Sequence, residues 1–459
     1  MSDVLIVLTS LAFVLLMGDL VYRFLVGKDA LLLERMVLAF ALGSGTVALL
    51  LFYFSLVYVP LALTLTIVVV LVVVGVAYAK RILEGRRHCV LREARSVLVL
   101  APLFSLSALV TLVALNIDLG FDGWSNWAFK ARVAFVEGGW ARSYFMHPWP
   151  QFIHSDYPLL IASVEAWAFA FLGRIDESAI KIIFPFFYLG LLVLFYVAAR
   201  EVRSTRAALL FAVLLGTTPY LSSIAAPSGY ADVALMLYVF GAVVFIRRWF
   251  LRGSSADLLV GAILAALGVW VKREGIVYWG VNLAAITLWL VLAHSFSGRE
   301  RVRWLLIFLL PAAVIIAPWF IFLTAFHIPP SDFAFVFDLT RLTRLPTIAV
   351  NMIGQYLSVT MWGGLWLIFF VFSLTRWRAS TFADRYVWAS AVAPFVLLQF
   401  SFLFSIWEPF TEHMILASDR LCMHEVALAW YWIALQSGSL DQWLNLLIAT
   451  RRSALREKV

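Results

Sequence analysis

The chain has 459 residues, of which 63% are hydrophobic and 14% are charged, and this composition excludes an ordinary soluble globular protein. The net charge of +8 does not indicate nucleic-acid binding, because the basic residues lie at the ends of apolar stretches, as in membrane proteins. Alternating ten-residue strands are absent, which excludes a membrane β-barrel. The sequence therefore predicts an all-α, polytopic membrane helical bundle.

About thirteen apolar stretches are long enough to cross roughly 30 Å of hydrocarbon as transmembrane helices. In chain order they cover residues 4–22, 36–58, 60–79, 97–117, 178–199, 206–222, 231–247, 256–271, 275–293, 304–325, 347–373, 386–405 and 421–437. The first lacks a preceding basic segment and is predicted to be a retained helix. The apolar segment 158–173 is not counted, because a further crossing would move every later basic loop to the other side. We predict that it lies in the outer interface.

The connecting loops on one side of this topology hold clusters of lysine and arginine. By the positive-inside rule that side is cytoplasmic, and the N-terminus lies outside. The expected location is the plasma (inner) membrane, with the functional site on the outer, periplasmic face. Cys89 and Cys422 are predicted in loops on opposite sides, so no disulfide framework is expected.

The outer loop 118–177 is the largest predicted extramembrane segment. If a helix begins at Asp122, then Asp122, Asn126 and Lys130 recur every four residues and share one face. A carboxylate, an amide and an ammonium group on one face could bind a polar substrate at the membrane surface. The alternative is that Asp122 only caps the helix and that Lys130 is a solvated charge.

Two further charged sites lie at the outer ends of predicted spans. Lys272-Arg273-Glu274 interrupts the apolar run 258–292, and charged groups within such runs are usually functional. The tripeptide is interpreted either as an anion-binding bend or as a tight turn in which Glu274 pairs with Arg273. Asp232 begins an apolar helix, where it either caps that helix or faces the outer cavity.

Several short motifs follow one another along the outer side. They are Phe121-Asp122-Gly123-Trp124, Lys130-Ala131, Ser155-Asp156-Tyr157-Pro158-Leu159-Leu160, Gly229-Tyr230-Ala231-Asp232, Lys272-Arg273-Glu274-Gly275 and His413…Ser418-Asp419-Arg420. With these motifs, the stretch 97–325 resembles the GT-C superfamily of polytopic glycosyltransferases, which includes protein mannosyltransferases and aminoarabinose transferases of lipid A. We expect three N-terminal helices with a basic loop in 1–96 and a GT-C-like catalytic core in 97–325. An outer flap, three helices and a basic tail are expected in 326–459.

The chain departs from the family pattern at two points. Members often carry two adjacent acids in the first outer loop, whereas here Gly123 follows Asp122 and leaves Asp118 or Asp156 as the second carboxylate. Three helices also precede the span that resembles the first one of the family. These departures leave open whether a divalent metal ion takes part as a cofactor.

The resemblance implies transfer of a sugar from a polyprenyl-phosphate donor to an acceptor hydroxyl on the outer face. Asp122 is the first candidate for the general base, and Asp156 is the second. Substrate or phosphate contacts are expected from Lys130, Asp232, Lys272, Arg273, Glu274, His413 and Arg420. The expected partners are a polyprenyl-phosphate-linked sugar, a glycan, lipid or protein acceptor, and membrane lipids, but no nucleic acid.

Other functions stay open from the sequence. A ligase that moves a whole lipid-linked glycan would use Arg420 and His413 on a diphosphate. A transporter or lipid flippase would carry charged residues near the middle of several helices, whereas most of the charge here lies at helix ends or in outer loops. A purely structural membrane subunit is a further alternative.

Overall fold

The computed structural model describes residues 2–26, 31–83, 98–140, 142–147, 149, 153–293, 296–328 and 336–438. Within these ranges the chain folds into helices and contains no β-strand, which confirms the predicted all-α class. The prediction that Cys422 lies in a loop is wrong, because the residue lies in a helix. Cys89 and the basic C-terminal tail fall outside the described residues.

Helices of eight or more residues build the body of the protein. They are α1 (Ser2–Val26), α2 (Leu32–Leu56), α3 (Leu61–Leu83), α4 (Ala101–Asn116), α5 (Phe129–Val136), α6 (Leu160–Leu172), α7 (Ile183–Arg200), α8 (Thr205–Gly216), α9 (Asp232–Arg252), α10 (Ser255–Val271), α11 (Gly275–Leu292), α12 (Gly298–Ile315), α13 (Ala317–Ala325), α14 (Leu345–Leu357), α15 (Leu365–Arg376), α16 (Phe382–Leu398), α17 (Phe410–Met423) and α18 (Val426–Gln436). Single helical turns lie at Arg142–Met146, Glu177–Ile180, Val359–Trp362 and Phe400–Leu403. Gly123–Ala128 and Leu221–Ala225 are π-helical, and Leu339–Arg344 and Trp377–Ala379 are 3₁₀-helical.

Among the described residues, 7 helical stretches are long and apolar enough to cross a membrane. They are Ser2–Val26, Leu32–Leu56, Glu177–Arg200, Asp232–Arg252, Gly275–Leu292, Gly298–Ala325 and Phe382–Leu403. The chain is therefore a multi-pass membrane protein. Several other predicted spans coincide with shorter apolar helices, so the count of about thirteen crossings stays a prediction.

The predicted span 347–373 is wrong as one continuous helix. The chain breaks at Gly363 and Gly364, between α14 and α15. Their φ angles are +59° and +81°, a backbone region that glycine adopts without steric cost. The sequence shows this glycine pair, but the apolar residues on both sides favour one continuous span.

Helix α9 lies in the centre of the bundle and positions the candidate site. It packs against α7, α10, α11, α16 and α18, and every residue from Asp232 to Phe250 is buried. Its 21 residues extend over about 30 Å, which matches the thickness of the hydrocarbon core. Asp232 lies at one end of this helix and Arg252 at the other, so the depth of the bundle separates them.

The N-terminal helices enclose α6, the helix of the large outer loop. Helix α6 packs against α1, α2 and α5, and its residues from Leu160 to Phe169 are all buried. Its 13 residues are too few to span the membrane, as predicted. Helices α1 and α2 approach closely because Gly18 and Gly43 lack a Cβ. A Cβ at either position would overlap the backbone of the facing helix.

Candidate active site

Four segments meet at the end of α9 that carries Asp232. They are the first turn of α9, the bend between α10 and α11, the π-helical segment before α5, and the end of α17. Hydrogen bonds and ion pairs between charged side chains join all four segments. This meeting point is the candidate active site.

Asp232 is the centre of the charge cluster. Its side chain is 0% exposed and accepts from three donors. Lys272 Nζ and His424 Nε2 each lie 2.8 Å from its Oδ1, and Arg420 Nη2 lies 2.8 Å from its Oδ2. A buried carboxylate with this many cationic donors is well compensated, which favours a positioning role for Asp232 over direct contact with an acceptor.

Arg420 connects the buried Asp232 to the more accessible Asp122. Its Nη1 lies 2.6 Å from Asp122 Oδ2, and its guanidinium group stacks on the ring of Tyr230 at 4.7 Å. The Asp122 side chain is 21% exposed and makes no capping hydrogen bond to the helix that follows. Asp122 is thus not merely a helix cap, because its carboxylate faces the cluster.

The bend between α10 and α11 brings Lys272 to the cluster. Lys272 Nζ also lies 3.1 Å from Glu274 Oε1, so Glu274 pairs with Lys272 and not with Arg273 as the tight-turn alternative supposed. Burial raises the pKa of the Glu274 carboxyl, but the charges of Lys272 and His424 and a backbone hydrogen bond together outweigh burial, so the net shift is downward. The bend itself requires Gly275, since a Cβ there would overlap the carbonyl oxygen of Gly268.

An ion pair joins the large outer loop to this bend. Arg273 Nη1 lies 2.7 Å from Asp156 Oδ2, and the guanidinium group also faces the ring of Tyr157 at 5.8 Å. The Arg273 side chain is 33% exposed, whereas that of Asp156 is 6% exposed. Among the described residues, none forms a hydrogen bond with the other Asp156 oxygen, Oδ1.

Lys130 is buried and is not the solvated charge of the alternative interpretation. Its side chain is buried between the rings of Trp127 and Tyr157, 5.2 and 5.6 Å from their centroids, and its ammonium group donates to Asn126 Oδ1. Burial lowers the pKa of Lys130 to about 7, although the charges of Asp156 and Asp122 oppose the shift. Asn126 and Lys130 therefore share a face, as their spacing predicts.

The outer loop 118–177 contacts, through backbone groups, the segment that precedes α9. Gly120 N–H donates to the Ser228 carbonyl oxygen at 2.8 Å. A Cβ on Gly123 would lie 2.8 Å from that same oxygen and 3.0 Å from the Gly229 carbonyl oxygen. A second acid at position 123 would not fit here, which gives a physical reason for the departure from the paired acids of the GT-C pattern.

His413 lies near the site but outside the ion-pair network around Asp232. It is seven residues, or about two helical turns, before Arg420 on α17. Its ring is buried, its Nδ1 lies 3.0 Å from Ser405 Oγ, and it stacks on Trp407. Burial lowers the pKa of His413 to about 4, with the Glu274 charge opposing. The role of His413 as a phosphate ligand stays a prediction.

His424 is the member of the cluster that the sequence did not reveal. It was absorbed into the predicted apolar span 421–437, whereas α17 ends just before it and α18 begins just after it. The signal in the sequence is the spacing of His424. It follows Arg420 by four residues, so the two side chains share one helix face. The adjacent Glu425 was missed for the same reason, and it accepts a hydrogen bond from Tyr278 Oη at 2.5 Å.

The acids of the site are arranged for cationic side chains. In the part of the chain that the structure describes, no three His, Cys, Asp or Glu side chains come together to hold a metal ion. Asp122, Asp156, Asp232 and Glu274 each face a lysine or an arginine. Asp118, the other candidate for a second carboxylate, is exposed and lies outside this network.

Comparison with known proteins gives little beyond this geometry. No protein-family model matches the chain, and a search of curated proteins finds no significant match. Among solved structures, the crystal structure of ArnT from Cupriavidus metallidurans bound to undecaprenyl phosphate is similar at 16% sequence identity and a TM-score of 0.49. The match covers 79% of this chain and 64% of that one, so the chain spans less than two thirds of that protein.

Proposed function

We propose that the chain is a membrane glycosyltransferase that moves a sugar from a polyprenyl-phosphate donor to an acceptor hydroxyl. One observation carries the proposal: a partly exposed carboxylate, Asp122, is held by a largely buried arginine at the end of an apolar helical bundle. The reaction needs a base for the acceptor proton, cations for the leaving phosphate and an apolar surface for the lipid. Asp122 and Arg420, beside Asp232, are candidates for the base and for one cation, and an apolar cavity is the candidate for the lipid surface.

Asp122 is the proposed general base. As the acceptor oxygen bonds to the anomeric carbon of the sugar, the proton of the hydroxyl passes to the Asp122 carboxylate. The bond between the anomeric carbon and the phosphate oxygen breaks, and the lipid phosphate leaves with the electron pair. Arg420 fixes the orientation of the base, because the same guanidinium group is anchored to the buried Asp232. A positioned base contributes roughly 10²–10⁴-fold to the rate.

Arg273 and Arg420 are the proposed phosphate ligands. Their side chains are 33% and 15% exposed, and charge-assisted hydrogen bonds from arginine to phosphate are among the strong ones. Lys272 is 4% exposed and already bonded to Asp232 and Glu274, so we assign it to holding the cluster together. Lys130 belongs to the outer loop 118–177 and supports the Trp127 and Tyr157 rings of the same loop.

An apolar cavity of about 460 Å³ between α14 and α16 is the proposed seat of the polyprenyl chain. Met352, Tyr356 and Phe395 line it, and its α14 wall is joined to α17 by a hydrogen bond of 3.1 Å from Gln355 to Ser418. Ser418 precedes Arg420 by two residues, so this hydrogen bond links a helix that lines the cavity to the helix that carries a proposed phosphate ligand. Ligand cavities of this size are usual for small molecules and lipid segments.

We place the reaction on the outer, periplasmic face of the plasma membrane. Helix α9 begins at Asp232 in the site and ends with Arg247, Arg248 and Arg252, which lie about 22–30 Å away along its axis. Basic residues concentrate on the cytoplasmic side of membrane proteins, so the opposite end of α9 faces outward. The donor sugar would then be transferred outside the cell.

The test is a transfer assay on the purified protein in nanodiscs, with radiolabelled undecaprenyl-phosphate hexoses and pentoses and a panel of envelope glycolipids. Asp122→Asn is expected to lower the transfer rate by roughly 10²–10⁴-fold, because the neutral amide cannot accept the acceptor proton. The matched control is Glu137→Gln, an exposed acid of the same outer loop, which should transfer at the wild-type rate.

Both variants should unfold at the wild-type temperature, so that a lost rate reports chemistry. Transfer by Asp122→Asn at the rate of Glu137→Gln would remove Asp122 as the base. Retention of the labelled sugar on its lipid, with movement of that lipid between leaflets, would instead favour a flippase.

A further inference from the structure

A second, smaller cleft lies beside the ion pair between the outer loop and the α10–α11 bend. Its volume is about 150 Å³, well below the roughly 300–1,000 Å³ of pockets for drug-sized ligands, so it has room for one small group. Asp156 and Arg273 supply its polar wall, and Trp319 and Leu323 of α13 supply part of its apolar wall. The mechanism above uses Arg273 only through its phosphate contact and gives Asp156 no step.

Asp156 carries an unused acceptor at this cleft. Its side chain is 6% exposed, and Oδ2 accepts from Arg273 at 2.7 Å. Oδ1 is buried, and no group in the described part of the chain forms a hydrogen bond with it. Buried carboxylate oxygens are almost always hydrogen-bonded, so this atom indicates a ligand that supplies a donor. A hydroxyl group is such a donor.

The apolar wall narrows the chemical class of that ligand. Trp319 is part of an aromatic cluster with Trp270 and Phe322, which holds its ring in place at the cleft. A carboxylate facing an aromatic and aliphatic wall suits a molecule with hydroxyl groups on its edge and C–H groups on its face. A sugar ring has both.

We infer that this cleft binds one monosaccharide ring, with Asp156 Oδ1 accepting from a sugar hydroxyl and Trp319 packing against the C–H face. This inference rests on the proposed function and deepens it, because Arg273, one of the two proposed phosphate ligands, also lines the cleft. Asp156 is then a substrate-binding residue and not the second base. The ring belongs either to the donor or to the terminal sugar of a glycan acceptor, and the chemistry of recognition is the same.

Saturation-transfer NMR on the protein in nanodiscs, with methyl glycosides of common hexoses and pentoses as probes, tests the cleft without requiring transfer. The wild type should bind at least one glycoside. Asp156→Asn and Leu323→Trp, which fills the cleft, should each weaken that binding by at least tenfold. Glu137→Gln should bind as the wild type does, and each variant's unfolding temperature reports whether it is folded.

Absence of glycoside binding by the wild type, or equal binding by folded Asp156→Asn and Leu323→Trp, would overturn the inference. Asp122→Asn separates this inference from the proposed function, since it should lose transfer and keep glycoside binding. Glycoside binding with no transfer activity would therefore refute the proposed function and leave the sugar cleft standing.

The transfer assay identifies the source of the ring. A rise of at least tenfold in the donor KM of Asp156→Asn assigns the ring to the donor, and the same rise in the acceptor KM assigns it to the acceptor. An active Asp156→Asn with both KM values unchanged would contradict the cleft as a substrate subsite.

Discussion

The two ends of α9 both bury charge, but they arrange it in opposite ways. At the Arg252 end, cations lie at the centre: Arg248 faces Glu34 at 2.6 Å and Glu201 at 2.9 Å, and Arg247 faces Asp384 at 2.7 Å. At the other end, the carboxylate of Asp232 lies at the centre and three cationic or potentially cationic groups surround it.

We interpret the ion pairs of Arg247 and Arg248 at the Arg252 end as a structural clamp, and the cluster around Asp232 as the candidate site. The acids at the Arg252 end come from different parts of the bundle, so each ion pair ties α9 to another segment. At the Asp232 end, the network continues outward to Asp122, and a separate ion pair joins Arg273 to Asp156. One buried oxygen each of Asp156 and Glu274 has no hydrogen-bond partner among the described residues. Unfilled acceptors are expected where a ligand completes the structure.

The largest effect is expected from breaking the centre of the site cluster. Asp232→Asn leaves Lys272 and Arg420 with one carboxylate partner each, Glu274 and Asp122, and removing one partner from a buried ion pair costs about 3–5 kcal/mol. The free energy of unfolding in mixed micelles measures the loss. Adding Lys272→Met removes one surplus cation and should recover part of it. A single variant as stable as the wild type would show that the cluster is solvated.

A smaller effect is expected when Arg420, which bridges Asp122 and Asp232, is replaced by a lysine. Arg420→Lys keeps the charge, but one ammonium group cannot reproduce the two guanidinium contacts with Asp122 and Asp232. We expect a loss of about 1.5–3 kcal/mol in transition-state stabilisation, the value of one charge-assisted hydrogen bond, measured as kcat/KM for transfer. Full activity in the lysine variant would mean that Asp122 does not depend on this bridge for its orientation.

The pH dependence of stability probes Lys130, the buried lysine whose side chain donates to an amide oxygen. Its pKa falls from 10.5 to about 7 on folding, so between these values the unfolded chain holds more protons and stability rises with pH. Lys130→Met lacks this dependence. The stability of the variant relative to the wild type should therefore decline by about 1.4 kcal/mol per pH unit above pH 7 and be flat below it.

Unfolding of both proteins at pH 6, 7.5 and 9 measures that difference, in which groups unaffected by the substitution cancel. A constant difference across this range would mean that Lys130 keeps its ordinary pKa in the folded protein.

The smallest effect is expected at the clamp. Arg248→Met with Glu34→Leu replaces both partners of a buried pair, and such replacements are often neutral or stabilising. Glu201 keeps its ion pair with Arg252 at 3.0 Å. Stability should stay within about 1 kcal/mol of the wild type or rise, with unchanged transfer. The analogous pair at the site, Asp232→Leu with Lys272→Met, should abolish transfer. Loss of transfer from the clamp variant would contradict the division into clamp and site.

The sequence was most informative where charge interrupts apolar runs. Asp122, Asp232, Lys272 and Arg420 are far apart in the chain, yet each lies at a span end assigned to one side, and the structure joins them in one network. Burying a charge in a membrane protein is costly, so its position carries information that apolar residues do not. Their chemical roles stay predictions.

Pairing and local geometry were less predictable. The sequence suggested Glu274 as the partner of Arg273, but only tertiary structure could show that Asp156 takes that place, 117 residues away. The π-helical turn at Gly123–Ala128 was also invisible, because its residues would suit an ordinary α-helix. His424 was hidden by the aromatic and aliphatic residues that follow it.

The π-helical turn has a consequence for how this region tolerates change. Such a turn accommodates one residue more than an α-helical turn does, and it lies directly between Asp122 and α5. Deleting a single residue there would let the segment close as an α-helix and would leave Asp122 at nearly the same angle around the axis, because the π-helical turn already absorbs one extra residue. Surface loops ordinarily accept changes in length more readily than changes in chemistry. The π-helical turn extends this tolerance of length to a helical segment, where a deletion from an ordinary α-helix would rotate the preceding side chain by about 100°.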